Sequence, residues 1–413
     1  MFTLTSGARL APAHRALQGN TIISQTLRVR QSSPFWLPYT GELSSVYLKN
    51  FSTHPPRPAP LTVSKTSVDR MASDDKIKTR LLIISDTHGR QPKEKEDGGQ
   101  DTNDELDQPD IRRVPTGFRD PLPEVDVVIH CGDLSKGGQT HEYEETFSML
   151  RKCRAPLKLV IAGNHDLTLD PEFFDDSDND RLRSVTGEDA PQKAREVIKN
   201  AEADGVRYLE EGVHTFDLDN GARLTVYASP WTPVYGWWAF QYARCDPNTF
   251  DIPRGVDVAM THGPPRGVLD SAGNPFMGNT EEAGCDVLLN AVRQARPKVH
   301  CYGHIHEAWG AYLGQWTDDN DGPALDEEKS RYIARLRGLE FSSMDDGTPP
   351  ESKLARLKEI SKRRGYHVDL TEGRDRLDEG KQTLFVNAAI MDIRYRPVQC
   401  PWIVDITLPK AQA

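Results

Sequence analysis

Five short polar clusters occur in a fixed order along this 413-residue chain, and most of them follow an apolar run of strand length. The clusters are Asp86-Thr87-His88, Gly132-Asp133, Gly163-Asn164-His165-Asp166, His262-Gly263-Pro264-Pro265 and Gly303-His304-Ile305-His306. Apart from Asp166, they offer two Asp, one Asn and five His. Imidazole donors suit Zn, Fe, Mn or Ni better than Mg or Ca, so the set indicates a transition-metal site.

The size of the donor set indicates two cations rather than one. Two divalent ions about 3.5–4 Å apart can clamp both the attacking and the leaving oxygen of a phosphoryl displacement. Such a pair needs a bridging carboxylate, because a neutral ligand does not offset two adjacent positive charges. Loops that leave parallel strands converge at one edge of a sheet, where open α/β folds place their sites. The clusters therefore predict a metal-dependent phosphoester hydrolase.

Each cluster alone has an ordinary structural explanation. Asp86 followed by a chance His would serve as a helix N-cap, and Gly132-Asp133 would serve as a turn. The tetrapeptide at 163–166 is harder to explain in this way, because it follows an apolar strand. The order of all five clusters favours the metal site.

The elements that must position these clusters are predicted from apolar runs. Strands are expected at residues 81–85, 127–131, 157–162, 223–228, 256–261, 299–302, 383–387 and 403–408. Fully apolar strands imply sheets that are covered on both faces. Helical patterns at 191–203 and 281–295 alternate with these strands. The alternation predicts a layered α/β fold with its motifs at strand ends.

The domain organisation follows from composition. Residues 1–76 read as a disordered basic leader, and residues 77–413 read as one domain. Two insertions are expected in that domain, an acidic solvated loop at about 90–115 and a helical excursion at about 317–380. In the second insertion, residues 325–337 and 353–362 read as amphipathic or charged helices.

Charge is unevenly distributed. The net charge is −11, whereas residues 1–70 hold eight Lys/Arg and two acids, which gives +6. An Arg-rich, acid-poor leader is typical of a mitochondrial transit segment, and a disordered tail without targeting function is the alternative. Met71 would also make an ordinary start of translation. The acidic remainder disfavours long nucleic acid as a partner.

Two further observations bear on the compartment. Six scattered cysteines without a C-x-x-C pair indicate a reduced, intracellular protein, either cytoplasmic or mitochondrial. No apolar stretch approaches the about 20 residues that cross a bilayer, so we expect no membrane span.

The ordered set D-x-H, GD, GNHD, HGPP and GHIH resembles the calcineurin-like metallophosphoesterase superfamily. Within this superfamily, five longer segments are similar to the metallophosphoesterase-domain-containing proteins, which are related to class III cyclic-nucleotide phosphodiesterases. The segments are SDTHG, GNHDLTLD, SPWTP, THGPPRGVLD and GHIHEAWG. The resemblance covers roughly residues 79–311 and Val386-Asn387-Ala388. It implies a four-layer αββα sandwich with a dinuclear metal site.

The resemblance also implies residue roles. The first metal would take Asp86, His88, Asp133 and His306. The second would take Asp133, Asn164, His262 and His304, with Asp133 as the bridge. His165 would contact the phosphate and assist the leaving group, and a hydroxide that bridges the metals would be the nucleophile. The metals would be Mn, Fe, Ni or Zn, with manganese a candidate.

Other branches of the superfamily fit less well. Phosphoprotein phosphatases extend the second motif into a GDxVDRG-type run, which differs from residues 132–138 here. Purple acid phosphatases place a metal-binding Tyr where this chain has Lys136. A phosphodiesterase on small molecules, with nucleotides among them, is the expected function. The alternatives are a phosphomonoesterase, a nuclease, or a catalytically idle binding or scaffold protein that keeps the fold.

Several residues near the motifs have two interpretations. His130 and His300 are either core histidines or supports for ligands, and Asp166 either orients His165 or caps a helix. Arg266 either reaches a substrate phosphate or forms a surface salt bridge. The aromatic residues either stack on a substrate base or pack as core and lid; they are Trp231, Tyr235, Trp237, Trp238, Phe240 and Tyr242.

Overall fold

The computed structural model describes residues 76–93, 118–244, 250–273, 280–318, 322–336 and 350–412. The predicted leader, apart from Lys76, and most of the predicted acidic insertion lie outside these described residues. Among the described residues, no helix is both long enough and apolar enough to cross a bilayer.

The described residues form strands and helices that alternate along the chain. The strands are β1 (Lys76–Ile84), β2 (Val127–His130), β3 (Leu157–Val160), β4 (Val206–Tyr208), β5 (Gly212–Asp217), β6 (Arg223–Ser229), β7 (Thr232–Pro233), β8 (Gln241–Tyr242), β9 (Val258–Thr261), β10 (Ser271–Ala272), β11 (Glu281–Glu282), β12 (Val299–Tyr302), β13 (Gly310–Gln315), β14 (Arg331–Arg335), β15 (Tyr366–Asp369), β16 (Gln382–Asn387) and β17 (Trp402–Pro409). The helices are α1 (Thr140–Lys152), α2 (Pro171–Asp175), α3 (Asp180–Thr186), α4 (Ala190–Ala201), α5 (Asp286–Ala295) and α6 (Pro350–Arg363).

Most strands belong to two large sheets. The first sheet has the order β15-β17-β1-β2-β3-β4, and the second has the order β14-β13-β16-β12-β9-β6-β5. Strands β1 to β4 run parallel, and so do β6, β9, β12 and β16. Each sheet therefore presents the carboxyl ends of four neighbouring parallel strands along one edge.

Apolar side chains fill three layers of core. Between the sheets, Leu81 and Ile129 of the first pack in one cluster with Val258 and Val299 of the second. The outer face of the first sheet packs against α1 and α4, and that of the second packs against α5. The fold is therefore the predicted four-layer αββα sandwich, because every central strand is covered on both faces.

The predicted strands are all present, with ends that differ by at most two residues except at the start of β1. The helices predicted at 191–203 and 353–362 correspond to α4 and α6. The helix predicted from residue 281 begins at Asp286, because Glu281 and Glu282 pair with β10 instead.

The helix predicted at 325–337 is wrong. Residues Arg331–Arg335 form the edge strand β14, which pairs antiparallel with β13. Ala334 of this strand is buried while Tyr332 is exposed, and pairing with a neighbouring strand overrides local helix propensity. The segment 317–380 thus adds β14 to the second sheet and β15 to the first.

A buried carboxylate fastens the edge of the first sheet. Asp405 of β17 has a side chain that is 1% exposed and accepts hydrogen bonds from Arg80 Nε at 2.7 Å and Arg80 Nη2 at 2.9 Å. His367 Nε2 lies 3.0 Å from the same carboxylate. Burial alone would raise the pKa of Asp405, but the hydrogen bonds from Arg80 and His367 hold it well below its usual value. Strands β1, β15 and β17 are therefore joined through one ionised side chain.

We expect Asp405→Asn to lower the free energy of unfolding by about 1.5–3 kcal/mol at pH 7, the range for hydrogen bonds to charged groups. Because the folded-state pKa is depressed, the stabilisation is complete above the unfolded-state pKa of about 3.9 and is lost as pH falls through the folded value. Urea unfolding at several pH values should show the gap between the two proteins closing in acid. Asp217→Asn, which breaks the exposed pair with Arg223, should change stability little. Equal stability of Asp405→Asn and wild type at pH 7 would contradict the expectation.

Candidate metal centre

The structure brings the predicted ligands to the carboxyl ends of parallel strands. Asp86 and His88 follow β1, Asp133 follows β2, and Asn164 follows β3 in the first sheet. In the second sheet, His262 follows β9, and His304 and His306 follow β12. The convergence is the one that open α/β sheets produce at this edge.

A single hexapeptide, residues 131–136, contacts most of these loops through its main chain. The carbonyls of Gly132, Asp133 and Leu134 accept hydrogen bonds from the amides of Asp86, His88 and Gly89, at 3.0, 3.0 and 2.9 Å. The loop after β1 is thereby fixed against the loop after β2.

The remaining three carbonyls of this hexapeptide orient imidazoles. Cys131 O lies 2.8 Å from His262 Nδ1, Ser135 O lies 2.9 Å from His88 Nδ1, and Lys136 O lies 2.8 Å from His165 Nδ1. A carbonyl only accepts, so each Nδ1 carries a proton, and in the neutral ring Nε2 carries the lone pair. His306 is held in the same way by the carbonyl of Asp392, at 3.1 Å. Such contacts fix the tautomer of histidines that bind metals.

Two groups of donors result. In the first, Asp86, His88 and His306 place one ligand atom each within 4.8 Å of one another. The Nε2 atoms of His88 and His306 lie 3.4 Å apart, and Asp133 Oδ2 lies 3.7 Å from His88 Nε2.

In the second group, Asp86, Asp133 and His262 meet the same 4.8 Å limit. His262 Nε2 lies 3.2 Å from Asp133 Oδ1 and 3.0 Å from Asn164 Oδ1. The ring of His304 lies 5.2 Å from that of His262, centroid to centroid. Asp133 is thus close to histidines of both groups.

The donor sets fit divalent cations. In the neutral rings, His262 Nε2 would face two oxygen acceptors with a lone pair, and the lone pairs of His88 and His306 would face each other; a positive charge, either a proton or a cation, reconciles such contacts. Burial alone would lower the pKa of His262, but Asp133 raises it to about 9. Burial lowers the pKa of His88 and of His304 to about 3, so both stay neutral, as metal binding requires.

The same electrostatics keep Asp133 ionised. Burial would raise the pKa of this carboxyl, but His262 and His165 beside it hold the pKa well below its usual range. A fully ionised carboxylate between two histidine groups is what a bridge between two cations needs.

Backbone strain concentrates at the ligands. Asp86, His88, Asp133 and His304 have φ of 56°, 46°, 54° and 67°, in the left-handed region that non-glycine residues seldom adopt. Strain of this kind persists only where surrounding contacts over-determine the conformation. Here the main-chain contacts of residues 131–136 do so for three of the four.

Gly163 lies where two ligands approach its backbone closely. A Cβ at this residue would collide with the main-chain N and Oδ1 of Asp133 and would come within 2.6 Å of His262 Cε1. The glycine of the third motif is therefore required by packing against Asp133, the predicted bridge.

Asp166 has neither of the roles predicted for it. Its carboxylate accepts hydrogen bonds from the amides of Leu134 and Ser135, at 3.1 and 2.8 Å, and from the amide of Gly163 at 2.8 Å. The Ser135 hydroxyl donates to it as well, at 2.8 Å. Asp166 thus ties the loop after β3 to the loop after β2.

The two strand histidines support ligand loops. His130 Nε2 lies 2.9 Å from the hydroxyl of Thr87, and His300 Nε2 lies 2.9 Å from the hydroxyl of Thr261. Both rings are fully buried. Of the two interpretations of Arg266, the structure shows the surface salt bridge, in which Nε lies 3.2 Å from a carboxylate oxygen of Glu282.

The predicted aromatic cluster divides into two parts. Phe240 and Tyr242 are buried. The ring of Trp238 packs on His165, with centroids 4.0 Å apart, and the ring of Tyr235 lies 5.5 Å from that of His304. Tyr235 is 59% exposed, so this part of the cluster borders the ligands and is open to solvent.

Sequence reasoning missed Tyr395. Its ring lies 5.0 Å from His88 and 5.3 Å from His306, centroid to centroid, and its hydroxyl lies 3.4 Å from His165 Nε2. Burial and the nearby Asp133 raise the pKa of the Tyr395 phenol well above its usual value, so the hydroxyl stays protonated. The nearest sequence motif to Tyr395 was Val386-Asn387-Ala388, which is part of the resemblance.

The chain belongs to the calcineurin-like phosphoesterase family, whose profile matches residues 79–308. Metallophosphoesterase domain-containing protein 1 of Homo sapiens is 33% identical over 242 residues, which cover 56% of this chain and 62% of that protein. A UPF0046 protein of Caenorhabditis elegans is 34% identical over 212 residues, covering 48% of this chain and 50% of that protein.

A third relative carries a different name. The probable rhamnogalacturonate lyase C of Emericella nidulans is 30% identical over 254 residues, which cover 61% of this chain but 19% of that protein. In all three cases the alignment spans less than two thirds of the relative. Membership of the family supports a phosphoester hydrolase, and the ligand assignments residue by residue stay a prediction.

We expect Gly163→Ala to lower the metal content, because the added methyl group displaces Asp133. Overpacking of this kind also costs about 1–3 kcal/mol of stability. Gly137→Ala is the matched control, since a Cβ there meets nothing within 4 Å. Elemental analysis of metal-loaded protein and thermal unfolding measure the two effects. Full metal content in Gly163→Ala would show that the close packing does not position the bridge.

Proposed function

We propose that this metallophosphoesterase hydrolyses phosphodiesters of small molecules, with nucleotides among the candidate substrates, at a dinuclear metal site. One observation carries the proposal: the Nε2 atoms of oriented histidines lie beside the carboxylates of Asp133 and Asp86 at one edge of the two sheets. The family supports phosphoester hydrolysis, and the choice of diester and of substrate goes beyond it.

Asp86, His88, Asp133 and His306 would hold one cation, and Asp133, Asn164, His262 and His304 would hold the other. When bound, such cations act as Lewis acids toward the phosphate and lower the pKa of water to near neutrality. Manganese, iron, nickel and zinc all suit this mixture of imidazole and carboxylate donors.

His165 is the residue that we assign to proton transfer. Its Nδ1 is fixed by the carbonyl of Lys136, and Trp238 packs on its ring. Nε2 is therefore the atom that faces the ligands and that would deliver a proton to the departing oxygen. The main-chain amide of His165 donates to Asp133 Oδ1 at 2.9 Å, so the proton donor and the bridge are positioned together.

Two observations disfavour two of the alternative functions. The net charge of −11 offers no broad surface for a phosphate backbone, which disfavours a nuclease. The chain has His304 and every other predicted ligand. A catalytically idle binding protein does not need metal ligands, so their presence disfavours that alternative. A phosphomonoesterase is the remaining alternative within the same chemistry.

We expect Asp133→Asn to abolish hydrolysis of bis(p-nitrophenyl) phosphate, because the amide cannot supply the negative charge that joins two cations. The loss should exceed about 10³-fold, the scale on which removal of a central catalytic group acts. Circular dichroism and elemental analysis accompany the assay, so that folding and metal content are known. Wild-type turnover in a folded Asp133→Asn protein would refute the dinuclear site.

The choice of diester is tested with a substrate panel. Protein loaded with Mn, Ni or Zn should hydrolyse bis(p-nitrophenyl) phosphate and cyclic nucleotides with higher kcat/KM than p-nitrophenyl phosphate. A preference for the monoester would favour the phosphomonoesterase. No turnover on any ester, together with well under two ions per chain, would favour the idle binding protein.

A further inference from the structure

We propose that Tyr395 is a further catalytic residue, whose hydroxyl hydrogen-bonds to the same departing oxygen that His165 protonates. The inference rests on the proposed function and adds a second group to the leaving-group side of the site. It is carried by the geometry of a turn between β16 and β17 that the metal-binding motifs do not include.

The turn at 392–396 is closed by its own first residue. The carboxylate of Asp392 accepts hydrogen bonds from the amides of Arg394 and Arg396, both at 2.9 Å, and from Arg396 Nε at 2.8 Å. The amide of Tyr395 donates to the carbonyl of Asp392 at 2.9 Å. Tyr395 is thereby held at φ 56°, an unusual conformation for an aromatic residue.

The same turn is joined to a predicted metal ligand. The carbonyl of Asp392 that accepts from Tyr395 also lies 3.1 Å from His306 Nδ1. The ring of His306 and the backbone of Tyr395 are therefore held by the same carbonyl. This link makes the turn a part of the centre rather than a neighbouring loop.

The ring of Tyr395 is packed from two sides. His88, His165 and His306 border it with centroids at 5.0, 6.0 and 5.3 Å. The ammonium group of Lys136 lies 4.9 Å from its centroid, within the range of a cation–π contact. Lys136 also orients His165 through its carbonyl, so one residue positions both members of the proposed pair.

The hydroxyl faces the atom that would transfer the proton. In the neutral form, His165 Nε2 carries a lone pair, so the Tyr395 hydroxyl is the donor across the 3.4 Å between them. This separation is at the long end of hydrogen bonding, as is common at catalytic groups without substrate. A substrate oxygen beside the pair, at about 2.8 Å from each atom, can accept from both.

The chemistry balances without a further reactant. Water adds to phosphorus and gives up one proton to solvent, the bond from phosphorus to the leaving oxygen breaks, and His165, which carries a second proton on Nε2 for this step, gives that proton to the leaving oxygen and regains one from solvent. Tyr395 keeps its own proton and donates a hydrogen bond to the negative charge that develops there. The contribution should grow as the leaving group becomes poorer, since more charge then develops on the oxygen.

The test is Tyr395→Phe in the full-length, metal-loaded chain, on methyl aryl phosphates whose leaving groups run from 4-nitrophenol to phenol. The variant keeps the ring and removes one oxygen. We expect kcat to fall about threefold or less with 4-nitrophenol and about 10- to 100-fold with phenol, at unchanged metal content. Tyr332→Phe, which changes an exposed tyrosine of β14, should leave every rate unchanged.

The outcomes separate the possibilities. Equal rates of Tyr395→Phe and wild type on all esters, or one uniform loss on all of them, would overturn the inference. Wild-type protein without activity on any ester would instead overturn the proposed function.

A second measurement applies if Tyr395→Phe loses metal. With rates normalised to bound metal, protein that carries His165→Ala leaves more negative charge on the departing oxygen, so adding Tyr395→Phe should cost at least as much there as it does in wild type. A clearly smaller cost in the double variant would mean that the hydroxyl does not donate to that oxygen.

Discussion

The main chain of residues 131–136 is the constraint on which the candidate centre depends. All six of its carbonyls are used: three accept from amides of the loop after β1, and three accept from imidazoles on different loops. Asp133 lies within the same hexapeptide, so the predicted bridge and the carbonyls that orient its neighbours belong to one short segment. The carboxylate of Asp166 also fixes the hexapeptide, because it accepts hydrogen bonds from the amides of Leu134 and Ser135.

This arrangement explains why strain is tolerated at the ligands. A left-handed residue other than glycine costs of order 1–3 kcal/mol, and four of the predicted ligands are such residues. The contacts that hold these residues are hydrogen bonds inside a buried region, where an unmade bond is expensive. The loops therefore remain in the strained conformation because relaxing it would leave several buried groups without partners. Orientation of the lone pairs is the functional result.

The sequence was sufficient for the parts of the structure that local patterns encode. Apolar runs such as 127–131 predicted the central strands, and chain order predicted which polar residues meet at their ends. Strand β14 was mistaken for a helix because its conformation is decided by pairing with β13. The role of Asp166 was missed because its partners lie about 30 positions earlier in the chain. Tyr395 was missed for a similar reason, since a turn closed by Asp392 aims it at histidines of three other motifs.

The two sheets support their ligand loops by equivalent means. In each, a buried histidine of one strand reaches a threonine at the end of its neighbour: His130 to Thr87, and His300 to Thr261. The Thr261 hydroxyl donates to the carbonyl of Gly263 at 2.8 Å, so it must accept from His300 Nε2. Burial lowers the pKa of both histidines, to about 4 for His130 and about 3 for His300, so neither brings charge into the core. Because these supports are neutral, the negative charge that bound cations would meet comes from Asp86 and Asp133. Orientation of the ligand loops is thus provided by neutral histidine rings, whereas negative charge is provided by Asp86 and Asp133.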